Sequence, residues 1–306
     1  MNNTEVRGII DHVQGICEDT TLTAVNSWME NHPDAPVVGY LPAYVPRELV
    51  YAAGGLAVGI WGGGAGLEII QGDAYFQSYL CHLPRSVLEM AKLRAFHRFR
   101  GIVFPSICDV IRNLSGMWQL LFPHQWAKYL DLPQNFRADC GGAFYRGQLV
   151  ELAALIHGAP PDGAYEDRLR EAIALTNRQQ AVLARLDRFR ATFPGKMPID
   201  DYYTLLRSAL ILHPLEHMHY AGRYLDEIGQ SDASPLDNVR VLLTGAFCEQ
   251  PTVGLLRTLE KAGCYIVNND LLLGLHWLTG PVSEEGDPFA ALVEAYREKT
   301  GPAPFK

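Results

Sequence analysis

The segment Gly101-Ile102-Val103-Phe104-Pro105-Ser106-Ile107-Cys108-Asp109 runs from a short apolar stretch into an amphipathic one, with a thiol at the junction. A cysteine that follows a strand and opens a helix meets the unpartnered N–H groups of the first turn, which favour a thiolate. Thiolates bind soft metals and iron–sulfur clusters. Cys81 stands just before the helix that leads to the Ile102 strand, and Cys248 leaves a later strand in Gly245-Ala246-Phe247-Cys248-Glu249-Gln250-Pro251. In a parallel α/β unit, Cys81 and Cys108 can reach the same sheet edge, and Cys248 can face a cleft from the other side. The six cysteines include no C-x-x-C pair and no ferredoxin or zinc-finger spacing. Read singly, each is more readily a buried free thiol. Cys264 opens an apolar strand and reads as core, whereas Cys140, before Gly141-Gly142, reads as exposed. Cys17 has no informative context.

Other reactive groups carry plain structural readings as well. Asp109 favours a helix start, and Arg112 can pair with it at three-residue spacing; alternatively Arg112 and Asn113 organise a pocket beside the thiol. Glu249 can handle protons or bind substrate, but a helix-start carboxylate is the simpler account. His213-Pro214-Leu215-Glu216-His217 has the H-x-x-E-H spacing of a zinc hydrolase. Pro214 disturbs the helix such a site needs, and no third ligand is evident, so structural histidines are the preferred reading. The glycines of Trp61-Gly62-Gly63-Gly64-Ala65-Gly66 form neither G-x-G-x-x-G nor a P-loop and read as a structural loop.

Short apolar strands alternating with amphipathic helices must position these groups. Strands are expected over 37–41, 56–60, 102–104 and 130–136, with helices over 47–53, 86–98, 109–121 and 144–156. Val87, Met90, Leu93 and His97 share one helical face; Val110, Leu114 and Met117 share another. A long helix over 167–190 aligns Leu169, Ile173, Thr176 and Gln180, then Val182, Leu183, Leu186 and Phe189. A second helix over 200–228 is expected to bend near Pro214. Strands 239–243 and 264–268 flank a helix over 251–262, Asn269-Asp270 falls where open α/β sheets bind ligands, and a last helix covers 290–299. The expected fold is α/β, with two parallel-sheet lobes joined by long helices: residues 1–195 form an N-terminal lobe with a helical extension, and 196–306 a helical bridge and partial C-terminal lobe. The second lobe shows too few strands and reads as incomplete.

The chain has 306 residues, 48% hydrophobic, enough for real cores. Its formal charge of −8 gives no support to a nucleic-acid surface, though a local basic pocket for a phosphate-bearing ligand is compatible with it. The polar N-terminus has no signal-peptide pattern, and no apolar run is long enough to span a membrane. A cytoplasmic location is expected, where disulfides are disfavoured.

Gly39-Tyr40-Leu41-Pro42, Pro46-Arg47-Glu48-Leu49-Val50-Tyr51-Ala52-Ala53-Gly54-Gly55, the Cys81 segment, Phe104 to Gly116, Pro133-Gln134-Asn135-Phe136 and Leu243 to Pro251 occur in an informative order. Together they resemble the benzoyl-CoA reductase and 2-hydroxyacyl-CoA dehydratase family, nearest to its ATP-dependent benzoyl-CoA reductase branch. The resemblance runs from about residue 36 to the chain end. It implies two Rossmann-like lobes holding a [4Fe-4S] cluster, with Cys81 and Cys108 as ligands. The third ligand is expected from a later C-terminal segment, before which this chain is read as stopping, with Cys248 as the alternative. It further implies low-potential reduction of benzoyl-CoA to a cyclic dienoyl-CoA, a homologous catalytic subunit, and ATP-hydrolysing activator subunits that supply electrons. This subunit itself would bind no ATP. His82 and Arg112 are the candidates for positioning substrate or protons, with Glu249 beside Cys248. A 2-hydroxyacyl-CoA dehydratase subunit and a noncatalytic scaffold are the alternatives.

Overall fold

The computed structural model describes residues 4–135, 137–230, 236–245, 251–269 and 280–300. The elements run α1 (Thr4–Glu18), α2 (Thr23–Asn31), β1 (Val37–Tyr40), α3 (Glu48–Ala52), β2 (Leu56–Gly59), α4 (His82–Lys92), β3 (Gly101–Pro105), α5 (Asp109–Leu121) and β4 (Trp126–Leu130). They continue with α6 (Ala143–His157), α7 (Gly163–Thr192), α8 (Ile199–Ser208), α9 (Pro214–Gly229), β5 (Val239–Leu243), α10 (Val253–Lys261), β6 (Cys264–Asn269) and α11 (Pro288–Thr300). The architecture is α/β with two parallel sheets. No helix among the described residues is long and apolar enough to cross a membrane.

Contacts divide the chain into two compact units, each assembled from separated stretches. One comprises Ser27–Ile60, Arg94–Arg178 and Thr279–Lys306. Its sheet has the order β2-β1-β3-β4, all parallel. Every residue of β1, β2 and β3 is buried, which explains why these strands read as unbroken apolar runs. From β1 the chain moves outward to β2, then resumes on the opposite side at β3. The carboxyl ends of β1 and β3 therefore flank a point where the strand order reverses, the place open α/β sheets offer to ligands. Behind the sheet, Trp118 of α5 is fully buried, its ring 5.5 Å from Phe104 and 4.7 Å from Phe122.

The other unit comprises Met1–Asn26, Trp61–Leu93 and Gln179–Leu278. Here β5 and β6 pair in parallel, α10 packs on β6 and α8, and α1 packs on α8 and α9. Arg190 of α7 is its buried polar anchor. Its guanidinium donates to the carbonyls of Ile266 (2.8 Å), Pro194 (2.9 Å) and Met197 and to the Glu260 carboxylate.

Several expected elements are corrected. The helix expected over 86–98 occupies His82–Lys92. Pro84 fits its first turn, where a missing N–H costs nothing. Arg94, at φ +66°, ends it, leaving Leu93 and His97 exposed instead of sharing the buried face. On α5 the buried line is Ile111, Leu114, Ser115 and Trp118, while Val110 and Met117 are only half-buried. The strand expected over 130–136 ends where it was expected to begin: β4 is Trp126–Leu130, an edge strand whose half-buried side chains leave no unbroken apolar run to read. The bent helix over 200–228 is two helices, because Pro214 occupies the first turn of a new one, α9. Leu169, Ile173, Thr176 and Gln180 do form one buried line on α7.

Candidate functional site

The buried strand β3 delivers the chain to the reversal point, and a short turn then fixes Cys108. The Ser106 N–H donates to the Leu130 carbonyl (2.9 Å), and the Ser106 hydroxyl oxygen accepts the Leu132 N–H (2.8 Å). Cys108 follows in an extended conformation (φ −165°, ψ 167°) as the N-cap of α5. Its carbonyl accepts the Arg112 N–H (3.2 Å), its thiol makes no capping hydrogen bond, and the residue is exposed. The sulfur thus stands at a helix start on the carboxyl edge of the sheet, accessible and beside first-turn N–H groups. Arg112, one turn on, is exposed and lies 5.4 Å over the Tyr129 ring. Its proton is held more tightly than usual by a hydrogen bond with Tyr129, then by the negative neighbours Asp109 and Asp131.

The end of β1 carries a buried polar cluster that the sequence reading did not single out as a site. Tyr40, Arg47, Glu48 and Tyr51 are all buried around the start of α3. Burial pushes the Tyr40 and Tyr51 hydroxyls to higher pKa, against the pull of the Arg47 charge. Thr176 of α7, fully buried, donates its hydroxyl to Glu48 Oε1 at 2.9 Å. The same helix ties down α3's open end: Tyr165 donates to the Leu49 carbonyl and Arg168 to the Ala52 carbonyl, each at 2.9 Å. The available signal was an Arg-Glu pair set among apolar residues directly after a buried strand.

In the other unit Cys81 (φ −57°, ψ 153°) is likewise an N-cap, that of α4, and His82 is that helix's first residue; both are half-buried. Their helix start is braced by the preceding loop. Glu89, buried, accepts the N–H groups of Ile70 (3.0 Å) and Gly72 (2.8 Å). Ser86 accepts the Gly63 N–H (2.9 Å), and Arg85 pairs with Asp73 (2.9 Å). Cys108 and Arg112 thus share one helix start, and Cys81 and His82 another. Cys248, Glu249 and Asp270 lie outside the described residues.

The remaining candidates separate from this chemistry. His213 caps α9 by accepting the Leu215 N–H (3.4 Å), and His217 is buried with Nε2 3.1 Å from the Leu205 carbonyl. Glu216 is exposed, so the H-x-x-E-H residues serve the helix and its packing. Cys17 is buried, its thiol bonded to the Thr204 carbonyl (3.7 Å), and burial pushes its pKa up to about 12, an inert state. Cys140 is exposed as expected, whereas Cys264 is half-buried rather than core. The chemistry of two N-cap thiols suits iron–sulfur ligation. Among the described residues no group of three His, Cys, Asp or Glu side chains is placed to hold a metal.

With this geometry in place, comparison with known proteins gives consistent matches. The profile of the family described as 2-hydroxyglutaryl-CoA dehydratase, D-component, matches residues 42–305. The chain is 41% identical over 288 residues to a benzoyl-CoA reductase subunit of Thauera aromatica, covering 94% of this chain and 75% of that protein. It is 23% identical over 262 residues to the (R)-phenyllactyl-CoA dehydratase beta subunit of Clostridium sporogenes. It is 24% identical over 270 residues to the lactoyl-CoA dehydratase beta subunit of Anaerotignum propionicum. These two alignments cover 86% of this chain and 69% of each relative.

Proposed function

Because the chain belongs to the 2-hydroxyglutaryl-CoA dehydratase D-component family, and is similar along most of its length to a benzoyl-CoA reductase subunit, we propose that it is a subunit of an ATP-dependent benzoyl-CoA reductase. The reaction adds two electrons and two protons to the aromatic ring of benzoyl-CoA and yields a cyclic dienoyl-CoA. The observation that carries this reading is the 41% identity to that reductase subunit across 94% of the chain. The exposed N-cap thiol of Cys108 at the sheet reversal supports it.

Cys81 and Cys108 are the chain's ligands for a [4Fe-4S] cluster, with the third from a later C-terminal segment or, as the alternative, from Cys248. When bound, the cluster supplies low-potential, one-electron transfer. The residues here do the placing. The first turns of α4 and α5 present N–H groups beside the two ligating sulfurs. Arg112, held against Tyr129, offers a fixed positive charge to the thioester or to developing negative charge on the ring. His82, adjoining Cys81, is the candidate proton donor, and Glu249 adjoins Cys248. We further propose a cytoplasmic complex with Rossmann-like lobes, containing a homologous catalytic subunit and ATP-hydrolysing activator subunits. In this complex the present subunit binds no ATP.

The test is anaerobic co-purification with neighbouring subunits, followed by assay of benzoyl-CoA against a 2-hydroxyacyl-CoA. Turnover of benzoyl-CoA with consumption of reductant is expected. Turnover of the 2-hydroxyacyl-CoA alone replaces this reading with that of a dehydratase. A complex with neither activity nor iron makes the chain a scaffold.

A further inference from the structure

The unit containing α4 and α8 holds a cation that none of the chemistry above uses. Arg207, in the last turn of α8, has its guanidinium 4.9 Å from the Trp61 ring and 5.3 Å from the Tyr203 ring. Tyr203 is fully buried, and its hydroxyl donates to the Pro251 carbonyl (3.2 Å), so that ring is fixed. Arg207 is half-buried, and its Nε is sealed from solvent with no hydrogen-bond partner. Among the described residues no carboxylate forms an ion pair with it.

An arginine near a helix end can hydrogen-bond the last carbonyls. Arg207 makes no such bond; two aromatic faces hold it in place instead. Cation–π contact immobilises the group and leaves its two terminal amino groups, which are not sealed as Nε is, to meet an incoming acceptor. Arg190, in the same unit, shows the contrast, since its guanidinium is fully occupied by three carbonyls and a carboxylate. The ring that clamps Arg207 is also the root of the glycine loop. In that loop Gly62 needs its glycine for φ +85° and for the close Ser86 side chain. Gly66 has neither need: its φ is not positive, and a Cβ there would meet nothing within 4 Å. Bare backbone beside open space allows close approach by a ligand.

We propose that Arg207, clamped between Trp61 and Tyr203 beside the glycine loop, binds a phosphate group of the coenzyme A thioester. The chemistry suits a phosphate, since a planar guanidinium offers paired donors to such an anion and is only weakly hydrated. This site rests on the acyl-CoA reading above and adds to it a recognition point for the coenzyme.

Isothermal titration at low salt with the purified complex tests it, using coenzyme A, inorganic pyrophosphate and pantetheine as probes. Arg207→Gln is expected to weaken coenzyme A and pyrophosphate at least ~10-fold, with pantetheine binding unchanged. Arg207→Lys should recover part of the loss. Equal coenzyme A affinity in wild type and R207Q overturns the site while leaving the acyl-CoA reading intact. Arg207-dependent pyrophosphate binding without coenzyme A binding keeps the anion site and removes the acyl-CoA reading beneath it. Should R207Q fail to fold, phenylglyoxal labelling of the wild type decides. Protection of Arg207 by coenzyme A but not pantetheine supports the proposal, and labelling unaffected by either refutes it.

Discussion

Replacing Arg190 with methionine should be among the most damaging single changes in the β5–β6 unit. Methionine preserves most of the buried stem but removes all five donors. Four acceptors lose their partner: the carbonyls of Ile266, Pro194 and Met197, and the carboxylate of Glu260. At about 1 kcal/mol for each carbonyl and about 2 for the carboxylate, the loss approaches ~5 kcal/mol. Glu260 keeps the Ile199 N–H (3.0 Å) and its side chain is 17% exposed, so water recovers part of this. The expected cost is about 3–5 kcal/mol, a large share of the stability of an ordinary domain. Urea unfolding followed by circular dichroism should show it, together with faster amide exchange in peptides covering 194–199 and 264–269. Arg190→Lys keeps the charge but not the fork and should fall between. A loss below about 1 kcal/mol, with exchange at β6 unchanged, would refute the view that this guanidinium joins the four acceptors.

Two further expectations follow from buried polar groups. Thr176→Val, which removes the donor to Glu48, should cost about 1.5–3 kcal/mol in urea unfolding, whereas Thr176→Ser should cost less; equal losses would contradict a role for the hydroxyl. Burial, then the neighbouring Asp200, raises Asp201 from 3.8 to about 6, against the Tyr224 hydrogen bond and the charges of Arg7 and Arg257. Between those values the folded protein holds the extra proton, so stability should fall as pH rises from about 4 to 6. Asp201→Asn, which keeps an acceptor for Tyr224 (2.9 Å), should therefore gain on wild type by about 2–3 kcal/mol above pH 6 and by little near pH 4. A gain independent of pH would show that Asp201 does not titrate in this window.

What was legible in the sequence follows the strength of each local pattern. The apolar runs of β1, β2 and β3 and the full extent of α5 were readable, because burial on both faces and a strong helical period leave clear traces. The edge strand β4 was not, since Trp126-Ala127-Lys128-Tyr129 is only half-buried. Nor was the end of α4, which depends on the left-handed backbone of a single arginine, Arg94. The thiol at the start of α5 was visible from its junction position. The Tyr40–Arg47–Glu48–Thr176 cluster was not, because Thr176 is distant in sequence and its polarity alone does not reveal that it points at a buried carboxylate.

Cys108 and Cys81, each heading a helix, are proposed as ligands of an iron–sulfur cluster. Iron and sulfide analysis with electron paramagnetic resonance on the anaerobically purified complex tests it most directly. A cluster signal is expected in wild type and Cys264→Ser and should be lost in Cys81→Ser and Cys108→Ser. An unchanged cluster in both of the latter would contradict it.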